Sequence, residues 1–365
     1  MRDIRAAVCR EFGAALDIQT LRLAAPGPGE LQVDIDAVAI CHSDISFAEG
    51  AWGGPLPAVY GHEAAGRVAA VGPGITAYRP GDPVIVTLIR SCGACPSCAG
   101  GHPVRCEGHS APEGPLSDAD GQPVAQGLKT AAFAEAVTVH HSQVAPIPES
   151  LDAEAACLLA CGVITGFGAV MNTARVWPGA NVVVIGAGGV GLNVIQAAAI
   201  AGARRIVAID LSEAKLADAE TFGATDGVLA TDAKPHRAVR QLTGGRGADF
   251  VFVTVGAIPA YEAAPRYLAP GGTMVMTGMP ASGAMARYEP VIFAAAGQGM
   301  VGSLMGDTVL KRDIPALLDW HARGRLKLHE LISGRYPLER INDAIAASKA
   351  GLVRRNVIVM GADAA

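Results

Sequence analysis

A glycine-rich turn between an apolar run and a helical pattern is the feature that most restricts the fold of this chain. The segment VVVIGAGGVGLNVIQAAAIAGA places Gly186, Gly188 and Gly191 in the spacing G-x-G-x-x-G. This spacing permits a tight turn and close approach of the backbone to a pyrophosphate, and the N-terminus of the next helix favours the anion. Asp210 ends the following apolar run, nineteen residues after Gly191. A carboxylate there accepts hydrogen bonds from ribose hydroxyls and repels a 2′-phosphate, so the sequence predicts NAD rather than NADP.

The cofactor site is predicted to include three further residues near this turn. Gly189 and Val190 lie inside the turn, and Lys215 lies on the helix that follows Asp210. An exposed lysine is usually only solvated, so Lys215 is the least specific member of the set.

Hydrophobic patterning divides the chain into two parts. Short apolar runs cut by turn residues, such as LQVDIDAVAI and GDPVIVTLI, predict a strand-rich part up to about Pro148. From about Ala153 onward, strand and helix patterns alternate, which predicts a parallel sheet covered by helices. After about Leu304, two helices and a final strand, RRNVIVM, follow, and this tail is expected to return to the first part. The region 107–129 is the one long segment expected to lack regular structure.

Composition excludes several classes of function. The 365 residues are 50% hydrophobic and suggest two domains, and the net charge of −5 gives no basic surplus for nucleic acid. The N-terminus does not resemble a secretory signal, and the richest apolar segment is interrupted by glycines and polar residues. We therefore expect a cytoplasmic protein without a membrane span.

Four closely spaced cysteines predict a structural zinc site. Cys92, Cys95, Cys98 and Cys106 follow the pattern C-x2-C-x2-C-x7-C in a loop rich in small residues and proline. Such a loop can supply four thiolates to one tetrahedral zinc, which leaves no open position for a substrate. An iron–sulfur cluster also takes four cysteines, but no companion set accompanies them. Four unbound thiols are the remaining alternative.

A second metal site, with one open position, would need three protein ligands. Cys41 in CHSD, His62 in GHE and Cys161 in ACGV have the required chemistry but lie far apart in sequence. A lone buried cysteine or histidine is more often part of a core than a ligand, so the residues alone leave this site open.

The segments GHEAAGRV, CGVITGFGA and GAGGVGL, with the four-cysteine loop and Asp210, resemble the zinc-containing medium-chain alcohol dehydrogenases over nearly the whole chain. The resemblance implies an α/β protein with a GroES-like, β-rich catalytic domain and a Rossmann cofactor domain. The expected boundaries are 1–162 and 305–365 for the catalytic domain and 163–304 for the cofactor domain, with the chemistry in a cleft between them. It also implies an NAD-linked enzyme with two zinc ions per chain, assembled as a homodimer or homotetramer.

Further roles come from this resemblance, position by position. Cys41, His62 and Cys161 match the catalytic zinc ligands, and Glu63 matches a carboxylate close to that metal. Asp44 would orient His62, and Ser43 would accept the substrate proton. The remaining matches concern the cofactor: Thr165 beside the nicotinamide, and His42 and Arg355 near the phosphates.

One departure from the family concerns proton transfer. Ser46 stands where many members carry a histidine, and a serine cannot act as a base near neutral pH.

Two alternative functions stay open. The substrate is a simple alcohol in the leading hypothesis and the hydroxymethyl adduct of glutathione or mycothiol in the first alternative. The second alternative is a protein that binds zinc and NAD without catalysis.

Overall fold

The computed structural model describes residues 1–108, 114–351 and 353–361. Its strands are β1 Arg2–Cys9, β2 Asp17–Leu23, β3 Glu30–Ala39, β4 Ala58–Val59, β5 Glu63–Val71, β6 Pro83–Val86, β7 Leu116–Ser117, β8 Pro123–Gln126, β9 Ala136–His140, β10 Val144–Pro146, β11 Asn181–Ile185, β12 Arg205–Asp210, β13 Asp226–Leu229, β14 Ala248–Val253, β15 Leu268–Met276, β16 Gly299–Gly302, β17 Ile332–Tyr336 and β18 Arg355–Val359.

The α-helices are α1 His42–Ala48, α2 Pro96–Ala99, α3 Ala153–Cys157, α4 Gly162–Gly168, α5 Gly189–Ile200, α6 Glu213–Thr221, α7 Pro235–Leu242, α8 Ile258–Ala263, α9 Pro290–Ala296, α10 Leu310–Ala322 and α11 Ile341–Lys349. A π-helix, Ala169–Ala174, continues α4. Short 3-10 helices span Pro103–Arg105, Gly127–Lys129, His141–Gln143, Leu158–Ala160, Ala264–Tyr267, Leu304–Asp307, His329–Leu331 and Leu338–Arg340.

The chain divides into two compact units, one of Met1–Gly162 with Val309–Ala365 and one of Val163–Thr308. The sequence placed the second boundary at Leu304, four residues earlier. The residues after Leu304 pack inside the second unit, because Thr308 Oγ1 donates a hydrogen bond to the carbonyl of Ile164 and a Cβ at Gly306 would overlap α4.

The first unit is built on two sheets. One sheet closes on itself in the order β1-β2-β7-β8-β4, and the other runs β10-β6-β5-β3-β18-β17 with β9 also paired to β3. The C-terminal strand joins this second sheet, because β18 pairs antiparallel with β3. The expectation that residues 107–129 lack regular structure is wrong in part: β7 and β8 complete the closed sheet, while residues 109–113 lie outside the described residues.

The second unit is a six-stranded sheet in the order β13-β12-β11-β14-β15-β16, with every neighbouring pair parallel. Counted within the unit, this is 3-2-1-4-5-6, the doubly wound order in which ligands bind where the strand order reverses. All five residues of β11 are buried, as a central parallel strand requires. The predicted α/β class with a β-rich domain and a doubly wound domain is confirmed.

Within the described ranges, no single helix is long and apolar enough to cross a membrane. The segments Ala153–Ala160 and Gly162–Ala174 meet that criterion only as a pair, across a bend of 47°.

Candidate functional site

Four buried side chains with metal-binding atoms meet in the first unit. Cys41, His62, Glu63 and Cys161 each offer one ligand atom, and these atoms all lie within 4.8 Å of one another. Cys41 directly precedes α1, Glu63 begins β5, and Cys161 directly precedes α4. The fold therefore brings together three segments that are far apart in sequence.

His62 directs one ring nitrogen to a carboxylate, and its other ring nitrogen has no hydrogen-bond partner. Its Nδ1 donates to Oδ1 of Asp44 at 2.9 Å, and both side chains are buried. Its Nε2 is also buried and has no hydrogen-bond partner in the structure. An unpaired buried nitrogen is costly in a protein interior. A metal ion bound at Nε2 would satisfy it, and the Asp44–His62 contact is the usual support for such a ligand.

Asp44 also fixes the backbone around the cluster. It accepts hydrogen bonds from the N–H of Cys41 at 3.1 Å and of Gly61 at 2.9 Å. The Asp44 carboxylate thus links the segment that carries Cys41 to the segment that carries His62.

The pKa values of the two thiols at this site are shifted in opposite directions. A hydrogen bond between the two sulfurs lowers the pKa of Cys41 well below its usual value and raises that of Cys161. Burial lowers the pKa of His62, but the charge of Asp44 outweighs it and leaves this pKa raised. The thiolate is the form that binds metal, so the site already favours one anionic ligand.

Glu63 and Arg355 form a buried ion pair beside the cluster. Burial raises the pKa of Glu63, and the positive charge of Arg355 opposes that rise. Nη1 of Arg355 lies 3.3 Å from Oε1 of Glu63 and donates to the carbonyl of Ile40 at 3.2 Å. Arg355, predicted near the cofactor phosphates, has a side chain that is 6% exposed and lies beside Glu63.

The four cysteines of the second cluster lie in a geometry that suits zinc. Cys92, Cys95, Cys98 and Cys106 bring their sulfurs within 4.8 Å of one another. Sγ of Cys95 and Sγ of Cys106 are 3.8 Å apart. Two thiolates on a tetrahedral zinc with bonds of about 2.3 Å would be separated by about the same distance.

Backbone N–H groups point at these sulfurs. The N–H of Cys95 donates to Cys92 at 3.3 Å, and that of Glu107 donates to Cys95 at 3.4 Å. Hydrogen bonds from the backbone at Glu107 and Cys98 lower the pKa of Cys95 to about 6. These hydrogen bonds therefore stabilise the thiolate of Cys95, the form that zinc requires, whereas burial raises the pKa of Cys98.

The three motif glycines of the second unit occupy different environments. Gly186 has φ +97°, which favours glycine. A Cβ at Gly191 would overlap the carbonyl oxygen of Gly186, so α5 packs directly on the turn. A Cβ at Gly188 would meet nothing within 4 Å. Space beside Gly188 is what a bound pyrophosphate needs.

The N-terminus of α5 and Asp210 border the same turn. Gly188 is the N-cap of α5 and provides no side-chain cap, so the first N–H groups of the helix are available to an anion. Asp210 accepts hydrogen bonds from the N–H of Ala187 at 2.8 Å and of Ser212 at 3.2 Å. It therefore holds the turn in place as well as ending β12.

Sequence reasoning missed Thr254, which locks the turn from the neighbouring strand. Its hydroxyl lies 2.8 Å from the carbonyl oxygen of Gly186 and 3.0 Å from that of Ile185. The sequence signal that could have identified Thr254 was its position directly after β14, at the carboxyl edge of the sheet.

The other predicted site residues are placed as follows. His42, Ser43 and Ser46 lie on α1, with His42 exposed and both serines half-buried. Thr165 is buried on α4, and its hydroxyl contacts Sδ of Met305 at 3.8 Å. The remaining residues are half-buried: Gly189, Val190 and Lys215.

Comparisons with known proteins identify both units. Residues 27–149 match the alcohol dehydrogenase GroES-like domain, and residues 189–323 match the zinc-binding dehydrogenase family. The chain is 34% identical to an alcohol dehydrogenase class-3 of Cereibacter sphaeroides, over 97% of this chain and 99% of the relative.

Two solved structures share the whole architecture. An alcohol dehydrogenase zinc-binding domain protein from Burkholderia ambifaria superposes with a TM-score of 0.94 at 34% identity, covering 99% of this chain and 100% of that one. Benzyl alcohol dehydrogenase from Acinetobacter calcoaceticus gives 0.92 at 28% identity, with coverage of 99% and 100%.

Proposed function

The chain belongs to the zinc-containing medium-chain alcohol dehydrogenase family, and we propose that it transfers a hydride between an alcohol and NAD, giving an aldehyde or ketone. The observation that carries this proposal is the buried cluster of Cys41, His62 and Cys161, with Nε2 of His62 left unpaired. Three ligands with a vacancy are typical of catalytic zinc.

The residues of the first unit divide the work of this reaction. Cys41, His62 and Cys161 would hold zinc, and Asp44 would keep the proton on Nδ1 of His62. When bound, zinc supplies a Lewis acid that lowers the pKa of the alcohol, and NAD supplies the hydride acceptor. Ser43 would relay the hydroxyl proton, accepting it while its own hydroxyl proton passes toward solvent. Because Ser46 replaces a histidine, the last transfer would rely on water or a ribose hydroxyl.

A second zinc ion is proposed for the four-cysteine loop. Its four ligands would leave no vacancy, so the ion would stabilise the loop without contacting substrate. The preference for NAD rests on Asp210, whose carboxylate would repel a 2′-phosphate.

The substrate test is NADH formation with a panel of primary, secondary and aromatic alcohols, and with formaldehyde in the presence or absence of glutathione or mycothiol. Turnover of free alcohols supports the proposal. Turnover that requires the thiol would assign the protein to the adduct-oxidising branch. Silence with zinc and NAD bound would favour the non-catalytic alternative.

A homo-oligomer is also proposed, through the apolar face of residues 279–304. Within it, α9 has no buried residue, β16 is the edge of its sheet, and Met285 and Val291 are 85% and 69% exposed. An apolar face with an open strand edge favours association with a second copy. Val291→Glu should lower the mass measured by light scattering, whereas Leu211→Glu, at a residue 74% exposed elsewhere, should leave it unchanged.

A further inference from the structure

Two neighbouring side chains of α8 hold the two ends of one surface segment in the second unit. Residues 278–287 follow β15, and most of them are exposed. Tyr261 donates its hydroxyl to the carbonyl of Gly278, at the start of the segment. Glu262 accepts a hydrogen bond at Oε1 from the N–H of Arg287, at its end, at 3.0 Å. One helix therefore anchors both ends of the segment.

The hydroxyl of Tyr261 is a constant donor to the carbonyl of Gly278. Tyr261 is 5% exposed and belongs to the hydrophobic core of the parallel sheet. Burial raises its pKa to about 12, so the hydroxyl keeps its proton near neutral pH. The N–H of Gly278 donates to the carbonyl of Val253 at 2.9 Å. Both polar backbone groups of Gly278 are therefore satisfied within the protein, which fixes this residue beside the end of β14.

The start of the segment packs, backbone against backbone, on residues that also contact the glycine-rich turn. A Cβ at Gly278 would lie 2.3 Å from the carbonyl oxygen of Val255. A Cβ at Gly256 would lie 2.4 Å from the carbonyl oxygen of Met279. The side chain of Val255 packs on Gly186, where a Cβ would lie 2.4 Å from its Cγ1. Gly278 and the glycine-rich turn therefore lie on opposite sides of Val255, in one continuous wall.

The strand order assigns this wall to one half of a bound dinucleotide. The order reverses between β11 and β14, and a dinucleotide lies across that point with one nucleoside over each half of the sheet. Asp210 ends β12 and marks the half that takes the adenosine ribose. Since β14 and β15 belong to the other half, residues 278–287 border the place of the nicotinamide nucleoside.

We propose that Tyr261 is a positioning residue for the nicotinamide half of the cofactor, because its hydroxyl fixes Gly278 and thereby the segment 278–287 beside the crevice. Glu262 supports the far end of the same segment. The inference rests on the use of NAD proposed above and extends the cofactor site to a helix outside the glycine motif.

The experiment titrates the full chain and four variants with NADH, which fills both halves, and with ADP, which carries only the adenosine half and two phosphates. Tyr261→Phe removes the hydroxyl alone. Glu262→Ala removes the acceptor for the N–H of Arg287, whereas Glu262→Gln keeps an oxygen there. Tyr267→Phe is the matched control, since Tyr267 is buried in the same core but precedes β15, at the opposite edge of the sheet. The thermal midpoint of each variant is measured alongside.

We expect Tyr261→Phe to weaken NADH binding by about 3- to 10-fold, the effect of one hydrogen bond, because the released segment must be ordered again when the cofactor binds. ADP binding should equal that of the parent. Glu262→Ala should act in the same direction to a smaller extent, while Glu262→Gln and Tyr267→Phe should keep the parent affinity for both probes. The Glu262 pair provides the same comparison if Tyr261→Phe does not fold.

Three outcomes would overturn the inference. Equal weakening of NADH and ADP in Tyr261→Phe would give the hydroxyl a general structural role. Unchanged NADH binding in that variant, or an equal loss in Tyr267→Phe, would show that the bond to Gly278 does not position the cofactor. If the parent binds neither probe, the proposed use of NAD fails together with the inference, and that result is visible before any variant is made.

Discussion

Asp44→Asn removes the negative charge of Asp44 but nearly keeps the shape of the side chain. The variant therefore tests how much the charge contributes to the site. Asp44 is 1% exposed and accepts three hydrogen bonds, two at Oδ1, from Gly61 and His62, and one at Oδ2, from Cys41. An asparagine has a single oxygen. Its best placement keeps the two bonds at the Oδ1 position and turns the amide NH2 toward the N–H of Cys41, so that two donors face each other.

The cost can be worked from these contacts. One buried N–H left without an acceptor costs about 1–3 kcal/mol. The two remaining bonds change from charge-assisted to neutral, a loss of about 1 kcal/mol each. Asp44→Asn should therefore lower the free energy of unfolding by about 3–5 kcal/mol. Because His62 loses its charged partner, zinc affinity at that site should fall about 10- to 100-fold.

Urea unfolding and competition with a zinc chelator measure the two effects of Asp44→Asn. Asp343→Asn is the control, because Asp343 is an exposed acid paired with exposed Arg340; it should change stability by less than about 0.5 kcal/mol. A loss of stability below about 1 kcal/mol with unchanged zinc affinity would refute the assignment of Asp44 as the support of His62.

Three further predictions address other parts of the chain. Cys98→Ser should lower the metal content by about one zinc per chain and leave the other ion in place, as metal analysis would report. Gly191→Ala should destabilise the second unit by about 1–3 kcal/mol because its Cβ overlaps the turn, whereas Gly188→Ala should leave thermal stability unchanged and weaken NAD binding in a titration. Asp152 is buried in part, which raises its pKa, but hydrogen bonds from the N-terminus of α3 and from His329 leave the pKa lowered. Its stabilisation is thus present above about pH 4, the unfolded pKa, and is lost as the pH falls through the lower folded value. Asp152→Ala should therefore cost about 1 kcal/mol at pH 6 in unfolding experiments, and progressively less as the pH falls below about 4.

The sequence predicted those parts of the site that are local in the chain. The glycine turn lies between β11 and α5, and the four cysteines lie within fifteen consecutive positions. In both cases the spacing alone brings the functional atoms together. The doubly wound sheet followed from alternating patterns for the same reason, since each strand and helix pattern is continuous in sequence.

The parts that the sequence did not predict depend on pairing between distant strands. Cys41, His62 and Cys161 required the family resemblance, because their proximity comes from the packing of α3 and the 3-10 helix Leu158–Ala160 against β3 and β5. The burial of Arg355 was not foreseen, since an arginine is mostly exposed in folded proteins and only the pairing of β18 with β3 places it inside. Strand β7 has two residues, too few to produce a periodic pattern.

The most direct test of the central claim compares Cys161→Ala with Cys157→Ala in one assay of NADH formation and zinc content. Both thiols are buried, but only Cys161 belongs to the cluster of ligand atoms. The zinc-dependent hydride transfer proposed here predicts that Cys157→Ala keeps about two zincs per chain and its activity with alcohols, while Cys161→Ala loses one zinc and at least about 100-fold in turnover. Activity and zinc content in Cys161→Ala equal to those of Cys157→Ala would contradict the account.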